Sequence, residues 1–336
     1  MWRLVCCEVQ GRGHIKTDTP CQDKTKQLFK DGVNVIALAD GAGSAKHSHF
    51  GAECVVENIS IYVADNFKQL FENANGKQVK LAIMNELKRV LIAKCDELDC
   101  KYVDLASTLL LVAVCEDKYI IAHIGDGVIG YLDGSELKIA SSPDNGEFAN
   151  ITTFVTSNEA LISMRLLKGN IKEISGFIIM SDGTEQSLYH KPTKKLANAT
   201  VKLMQRTCLI SGDVLRSQLI EMLTSVISVN TQDDCSIAIM ARPFGVLRNL
   251  EDMSFDERRD LFRISNNGTK LKRRVGRYDN IVAFLKTPKT LKQISAEIQL
   301  KPKYTKKHLN KLVSIGILVK HGMLYSITQP STKPDA

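Results

Sequence analysis

Long apolar runs are missing from this chain of 336 residues. None approaches the roughly 18 residues of a membrane-spanning helix, so no membrane partner is expected. The N-terminus, MWRLVCCEVQG, lacks a charged segment followed by a long apolar core. It predicts a strand rather than an export signal. No internal repeat or low-complexity tract occurs. The nine cysteines contain no C-x-x-C spacing; Cys6 and Cys7 are adjacent, and Cys95 and Cys100 are five apart. That pattern excludes a regular zinc site and argues against a disulfide framework. Free thiols in apolar segments, as at Cys54 and Cys115, predict a reducing, cytoplasmic setting.

What is present divides unevenly. Apolar residues make up 44% of the chain, enough for a sizeable core. The net charge is +8, yet residues 269–327 hold 11 Lys and 3 Arg against one Asp and one Glu, or +12. The rest of the chain is therefore acidic. Up to Arg242, short apolar runs such as NVIALADG, STLLLVAVCEDKYIIAHIGDG, GFIIMSDG and DDCSIAIMAR read as strands. Amphipathic patterns at residues 49–67, 77–95, 194–207 and 213–227 read as helices. Strands come in groups with long helices between the groups, which predicts an α+β fold with mainly antiparallel sheets.

Residues 243–268 read as a polar connector, with NNGTKLKRR as a basic hinge. From YDNIVAFLKT onward, three helices and a two-stranded hairpin are predicted. Thr290 caps the second helix, Pro302 opens the third and Gly316 stops it. That order is a winged helix-turn-helix. The expected domains are thus 1–242, a connector at 243–268, a winged helix at 269–328 and a tail at 329–336.

Acidic residues recur where the apolar runs begin or end: Asp40-Gly41, Asp126-Gly127, Asp182-Gly183 and Asp233-Asp234, with Asp23 in PCQDK as a fifth. Any one Asp-Gly is an ordinary turn. Four such corners can converge on one rim, where carboxylates repel unless cations lie between them. Oxygen-only ligands select Mg²⁺ or Mn²⁺ over zinc. A glycine next to the first Asp lets its own carbonyl approach a metal.

The order QD, ADGAG, STLLLVAV, IGDG, MSDG, DDCS resembles the metal-dependent serine/threonine protein phosphatases of the phosphatase 2C-like (PPM) family. GHIKTDTPCQD and GEFANITTFVT resemble its bacterial subgroup. The resemblance covers about residues 1–242 and implies two packed antiparallel sheets flanked by helices. It implies two Mn²⁺ or Mg²⁺ ions bridged by Asp40, one completed by Asp23 and the Gly41 carbonyl, the other held by Asp182 and Asp233. A third, weaker ion would involve Asp126. Asp234 would be a hydrogen-bonding neighbour, and His14, with Lys16 nearby, stands where the family usually has a phosphate-holding Arg. Glu185 falls slightly out of register. Thr108 is expected to pack or hydrogen-bond at the rim, Met164 and Met180 to fill core. No cysteine is needed; the one formal Cys-x5-Arg match, Cys6 to Arg12, lies in a strand-like segment.

The implied substrate is a phosphorylated protein, and the implied counterpart a Ser/Thr kinase. For the basic tail, Lys303, Lys306, Lys307, Asn310 and Lys311 on the third helix and Lys320 on the wing are the candidate contacts. Their partner is open between nucleic acid and an acidic protein face. The alternatives to an enzyme are a DNA-binding regulator with a phosphatase-like sensor domain, or an adaptor that only docks proteins.

Overall fold

A computed structural model describes residues 1–142, 152–265 and 270–328. Most of GEFANITTFVT, the end of the connector with the start of the hinge, and the 329–336 tail lie outside the described residues. In chain order the strands are β1 (Arg3–Val9), β2 (Lys24–Lys30), β3 (Val33–Ala39), β4 (Leu109–Cys115), β5 (Lys118–Ile124), β6 (Val128–Asp133), β7 (Glu136–Ser141), β8 (Arg165–Asn170), β9 (Ile174–Met180), β10 (Tyr189–His190), β11 (Lys195–Leu196) and β12 (Cys235–Ala241). The helices over the same span are α1 (Arg12–Thr17), α2 (Ser48–Asp65), α3 (Phe67–Glu72), α4 (Gly76–Leu98), α5 (Ala160–Ser163), α6 (Asp182–Leu188), α7 (Ala199–Leu209) and α8 (Gly212–Met222).

Two five-stranded sheets form, in the orders β1-β12-β9-β6-β7 and β2-β3-β4-β5-β8. Every pairing within them is antiparallel. The period of two assigns each side chain to a layer. On β3, Ile36 and Leu38 face the other sheet, together with Leu110, Val112, Phe177, Ile179 and Met240. Val35, Ala37 and Ala39 face the opposite way, onto Val55 and Ile59 of α2 and Ile83 and Leu87 of α4. On the β1-β12-β9-β6-β7 sheet Ile178, Ile237 and Ile239 pack outward against Leu203, Met204, Leu215 and Leu219 of α7 and α8. Both faces of the central strands are covered, which is why VNVIALA, GFIIM and CSIAIM are continuous apolar runs. The expected α+β class and layered sandwich are both present, and Met164 and Met180 are buried as expected.

Two helix expectations shift. Residues 194–198 are not helical. Lys194 takes φ +51°, and Lys195 pairs with His190, so a two-strand ribbon precedes the helix. The last turn of the 213–227 helix widens into a π-helical segment, Leu223–Ile227.

The C-terminal part comprises α9 (Phe255–Leu261), α10 (Leu271–Phe284), α11 (Leu291–Glu297) and α12 (Pro302–Ser314), with β13 (Lys289–Thr290), β14 (Leu318–His321) and β15 (Leu324–Ile327). Its sheet runs β13-β15-β14. Thr290 caps α11 in a reciprocal box with Gln293, Pro302 opens α12, and Gly316 at φ +80° follows its end. The basic hinge is a correction. From Leu271 onward it is helix, because Val275 and Tyr278 share a buried face with Ile281 and Val282. This part packs on α7 and α8 and shares their core through Ile281, Leu309, Leu312 and Ile317. Ser211 N–H donates to the Gly316 carbonyl at 2.9 Å, and Arg3 donates to the Thr328 carbonyl at 2.8 Å.

Candidate metal centre

Asp40 directly follows β3, and its backbone is held on both sides by Thr108. Asp40 N–H donates to Thr108 Oγ1 at 2.8 Å, and Thr108 N–H donates to the Asp40 carbonyl at 2.8 Å. Gly41 N–H donates to the Gln22 carbonyl at 3.2 Å, which brings the Asp23 segment alongside. A Cβ on Gly41 would stand 2.9 Å from Ser48, so a bare backbone is required there. Asp126 follows β5 and accepts from Thr152 Oγ1 at 2.6 Å. Asp182 is the first residue of α6, separated from β9 by Ser181 alone. Asp233 precedes β12, and its Oδ1 accepts from Asp234 N–H at 2.9 Å.

The electrostatics bring these carboxyls together. Burial pushes the Asp40 carboxyl well up, and the charges of Asp23, Asp182, Asp233 and Asp126 add to the rise. Asp23 is pushed up to about 8, first by burial and then by Asp234 and Asp182 against the opposing hydroxyls of Ser236 and Ser181. Asp182 rises to about 7 through burial, Asp233 and Asp126. Asp23 Oδ2 and Asp182 Oδ1 are buried with no hydrogen-bond partner. Among the described residues no Lys or Arg ion-pairs with any of the five. Lys191, ion-paired with Glu185, acts on Asp182 and Asp126 from beyond ion-pair range; like charges held together at closer range suit a bound cation.

The donor set fits a hard cation. Among the described residues no three His, Cys, Asp or Glu side chains close on one point to cage an ion unaided. Mg²⁺-like ions do not require that. They keep several waters and take one or two carboxylates.

Asp234 is the structural hub beneath the rim. Its Oδ1 accepts Gly11 N–H at 2.6 Å and its Oδ2 accepts Gln22 N–H at 2.5 Å. His14 Nδ1 lies 2.9 Å from Oδ1. The half-buried His14 ring thus lies against Asp234, although the geometry gives Nδ1 no hydrogen bond. Only the DD doublet hinted at this role. Arg12, on the same helix, is absorbed elsewhere and caps the Val229 and Thr231 carbonyls. Glu185 is fully buried and ion-paired with Lys191 at 2.5 Å. The packing is tight: a Cβ on Gly183 would be driven into the Asp234 carbonyl. Gly183→Ala is expected to cost about 1–3 kcal/mol by overpacking and to lower turnover by displacing Asp182. Thermal denaturation alongside an aryl phosphate assay checks this; a variant with wild-type values for both would refute the contact.

The basic candidates do not act as one surface. Lys303, Lys306, Lys307 and Asn310 are exposed on α12. Lys311 is half-buried, and its Nζ donates to the Arg263 carbonyl at 3.0 Å. Lys320 lies over the Tyr325 ring, 5.8 Å from its centroid.

Comparison with known proteins agrees with this architecture. Residues 10–224 match the family model for protein phosphatase 2C. The serine/threonine-protein phosphatase 3 of Escherichia coli K12 is 28% identical over 165 residues, 48% of this chain. That match spans 65% of the relative's length, less than two thirds. A bacterial serine phosphatase superposes with a TM-score of 0.53 at 15% identity, covering 73% of this chain and 99% of its own. The S. agalactiae serine/threonine phosphatase gives 0.51 at 17%, covering 72% and 100%. The catalytic domain of PstP, solved with two manganese ions, gives 0.50 at 15%, covering 71% and 97%. The matched segment holds Asp23, Asp40, Asp126 and Asp182 in order and takes in well over half of the chain, which belongs to the protein phosphatase 2C family.

Proposed function

We propose that the chain is a Mn²⁺- or Mg²⁺-dependent protein phosphatase that hydrolyses phosphoserine and phosphothreonine in a cytoplasmic protein substrate. The observation that carries this is the set of five carboxyls at strand ends, with buried Asp23 and Asp182 oxygens lacking partners and, among the described residues, no Lys or Arg ion-paired to them. Asp40 would contact two ions. Asp23 and the Gly41 carbonyl would serve one, Asp182 and Asp233 the other. Asp126 would help hold a third. Ions bound there polarise a phosphate and acidify a water.

The chain's own residues contribute position. Thr108 holds the Asp40 backbone, and Asp234 ties the Gly11–Gln22 loop to the start of β12. His14 approaches Asp234 with Nδ1, and Nε2 is its other polar atom for a phosphate oxygen. We read residues 1–242 as the catalytic domain, 243–268 as a connector and 269–328 as a winged helix that recruits a partner. A Ser/Thr kinase is the matching counterpart enzyme. The exposed Lys303, Lys306 and Lys307 of α12 supply the positive field for a nucleic acid or acidic protein face.

Metal-stripped protein is expected to be inactive on p-nitrophenyl phosphate and on a phosphothreonine peptide, with activity restored by Mn²⁺ or Mg²⁺. Undiminished turnover in excess chelator would overturn the reading. Metal-restored hydrolysis also separates it from a sensor or adaptor, neither of which turns over.

A further inference from the structure

A cavity of ≈ 340 Å³ lies away from the carboxylate rim, between α7, α8 and the turn at Arg263. Leu203, Leu219 and Met222 give it an apolar floor, and Arg206, Gln218 and Arg263 give it polar walls. Arg206 is half-buried and donates to Gln218 Oε1. Arg263 sits at φ +49°, and its carbonyl receives Lys311 Nζ. Glu221 also lines the cavity, yet among the described residues no carboxylate ion-pairs with Arg206, Arg263, Arg274, Arg277 or Lys311.

The cations work against one another. Burial and then Arg263 lower the Arg206 pKa. Burial, Arg274 and Arg263 lower that of Lys311. Holding positive groups in such proximity without acidic partners is unfavourable until an anion arrives.

We propose that this cavity is a second anion site, which takes a phosphate monoester carried on a protein segment with an apolar residue beside it. Two guanidinium forks suit a tetrahedral dianion better than lysines do. The leucine and methionine floor suits a neighbouring apolar side chain. A concave site holding one phosphate differs from the convex run of lysines that tracks a nucleic-acid backbone. The cavity also adjoins the rim along the chain. Its wall includes Ser225 and Val226 of the π-helical segment, which leads through Ser228–Asn230 to Asp233. The site goes beyond the phosphatase reading and requires none of its steps.

The test uses the full chain stripped of divalent ions, so that the carboxylate rim repels phosphate and binding reports the cavity. The probe is a fluorescein-labelled peptide with one phosphoserine between leucines, read by anisotropy. Binding is expected to weaken about 10- to 100-fold in the unphosphorylated peptide and in Arg263→Gln. Arg206→Lys should weaken it less than Arg206→Gln. Mn²⁺-restored hydrolysis of p-nitrophenyl phosphate should be unchanged in Arg263→Gln, so failure here is distinct from failure of the phosphatase reading. Binding that ignores phosphorylation, or that survives both arginine changes in folded protein, would overturn the site. Inorganic phosphate competing as strongly as the peptide would overturn the protein-segment ligand. So would labelled duplex DNA that binds tighter and displaces the peptide.

Discussion

Asp40→Asn is expected to lower kcat for an aryl phosphate by about 10³-fold while leaving the metal-free fold intact. The residue sits where four other carboxyls act on it. An amide there lends an ion no negative charge. Stability should move the other way. The folded Asp40 carboxyl lies above its ordinary value of 3.8. A carboxyl raised in the fold favours folding while protonated, and that contribution is lost as pH climbs through the folded value. Asp23, near 8, and Asp182, near 7, follow the same sign. Metal-free wild type should therefore lose stability between about pH 4 and pH 8. Asn, neutral throughout, should melt like wild type at pH 4 and higher than wild type at pH 8. Melting curves in chelator across that range check the sign. A variant that keeps most of its kcat would mean that the centre lies elsewhere.

Asp234→Ala should do the opposite to the fold and the same to the rate. This buried carboxylate accepts two backbone N–H groups, and the His14 ring lies 2.9 Å from it. Removing one partner of a buried charged network costs about 3–5 kcal/mol, because the remaining groups lose their acceptor in a site water enters poorly. Asp234→Asn should rescue little, since its NH₂ would confront an N–H donor. Urea unfolding of both variants reads the loss. Wild-type stability in Asp234→Ala would show that water replaces the carboxylate at no cost.

The strands and rim of this protein are legible because their causes are local. VNVIALADG announces a strand buried on both faces and a corner carboxyl in nine letters. Thr108 reads correctly because it sits at a strand start opposite that corner. The ribbon at Lys195 does not read, since its cause is pairing with His190 and not its own helix-friendly composition. Lys311 looks like every other lysine of α12 until Arg263, 48 residues away, offers it a carbonyl. His14 reads from the sequence only as a candidate, and Asp234, which its ring approaches at 2.9 Å, is 220 residues distant. No local pattern reports a contact of that separation.

The pairing of β1 with β12 also dictates an order of events during synthesis. The carboxyls come in two halves, Asp23 and Asp40 early in the chain, Asp182 and Asp233 late. At typical elongation rates the second half follows the first by about 10–40 s. During that interval β2, β3, β4 and β5 can collapse on α2 and α4 using only residues already made. The loop around Gly11 and Gln22 still lacks its anchor until Asp234 leaves the ribosome. A nascent or prematurely terminated chain therefore carries half a rim and no complete centre. β12 is the last strand of the two large sheets to be made, so a fragment released before it is expected to show no metal-dependent hydrolysis.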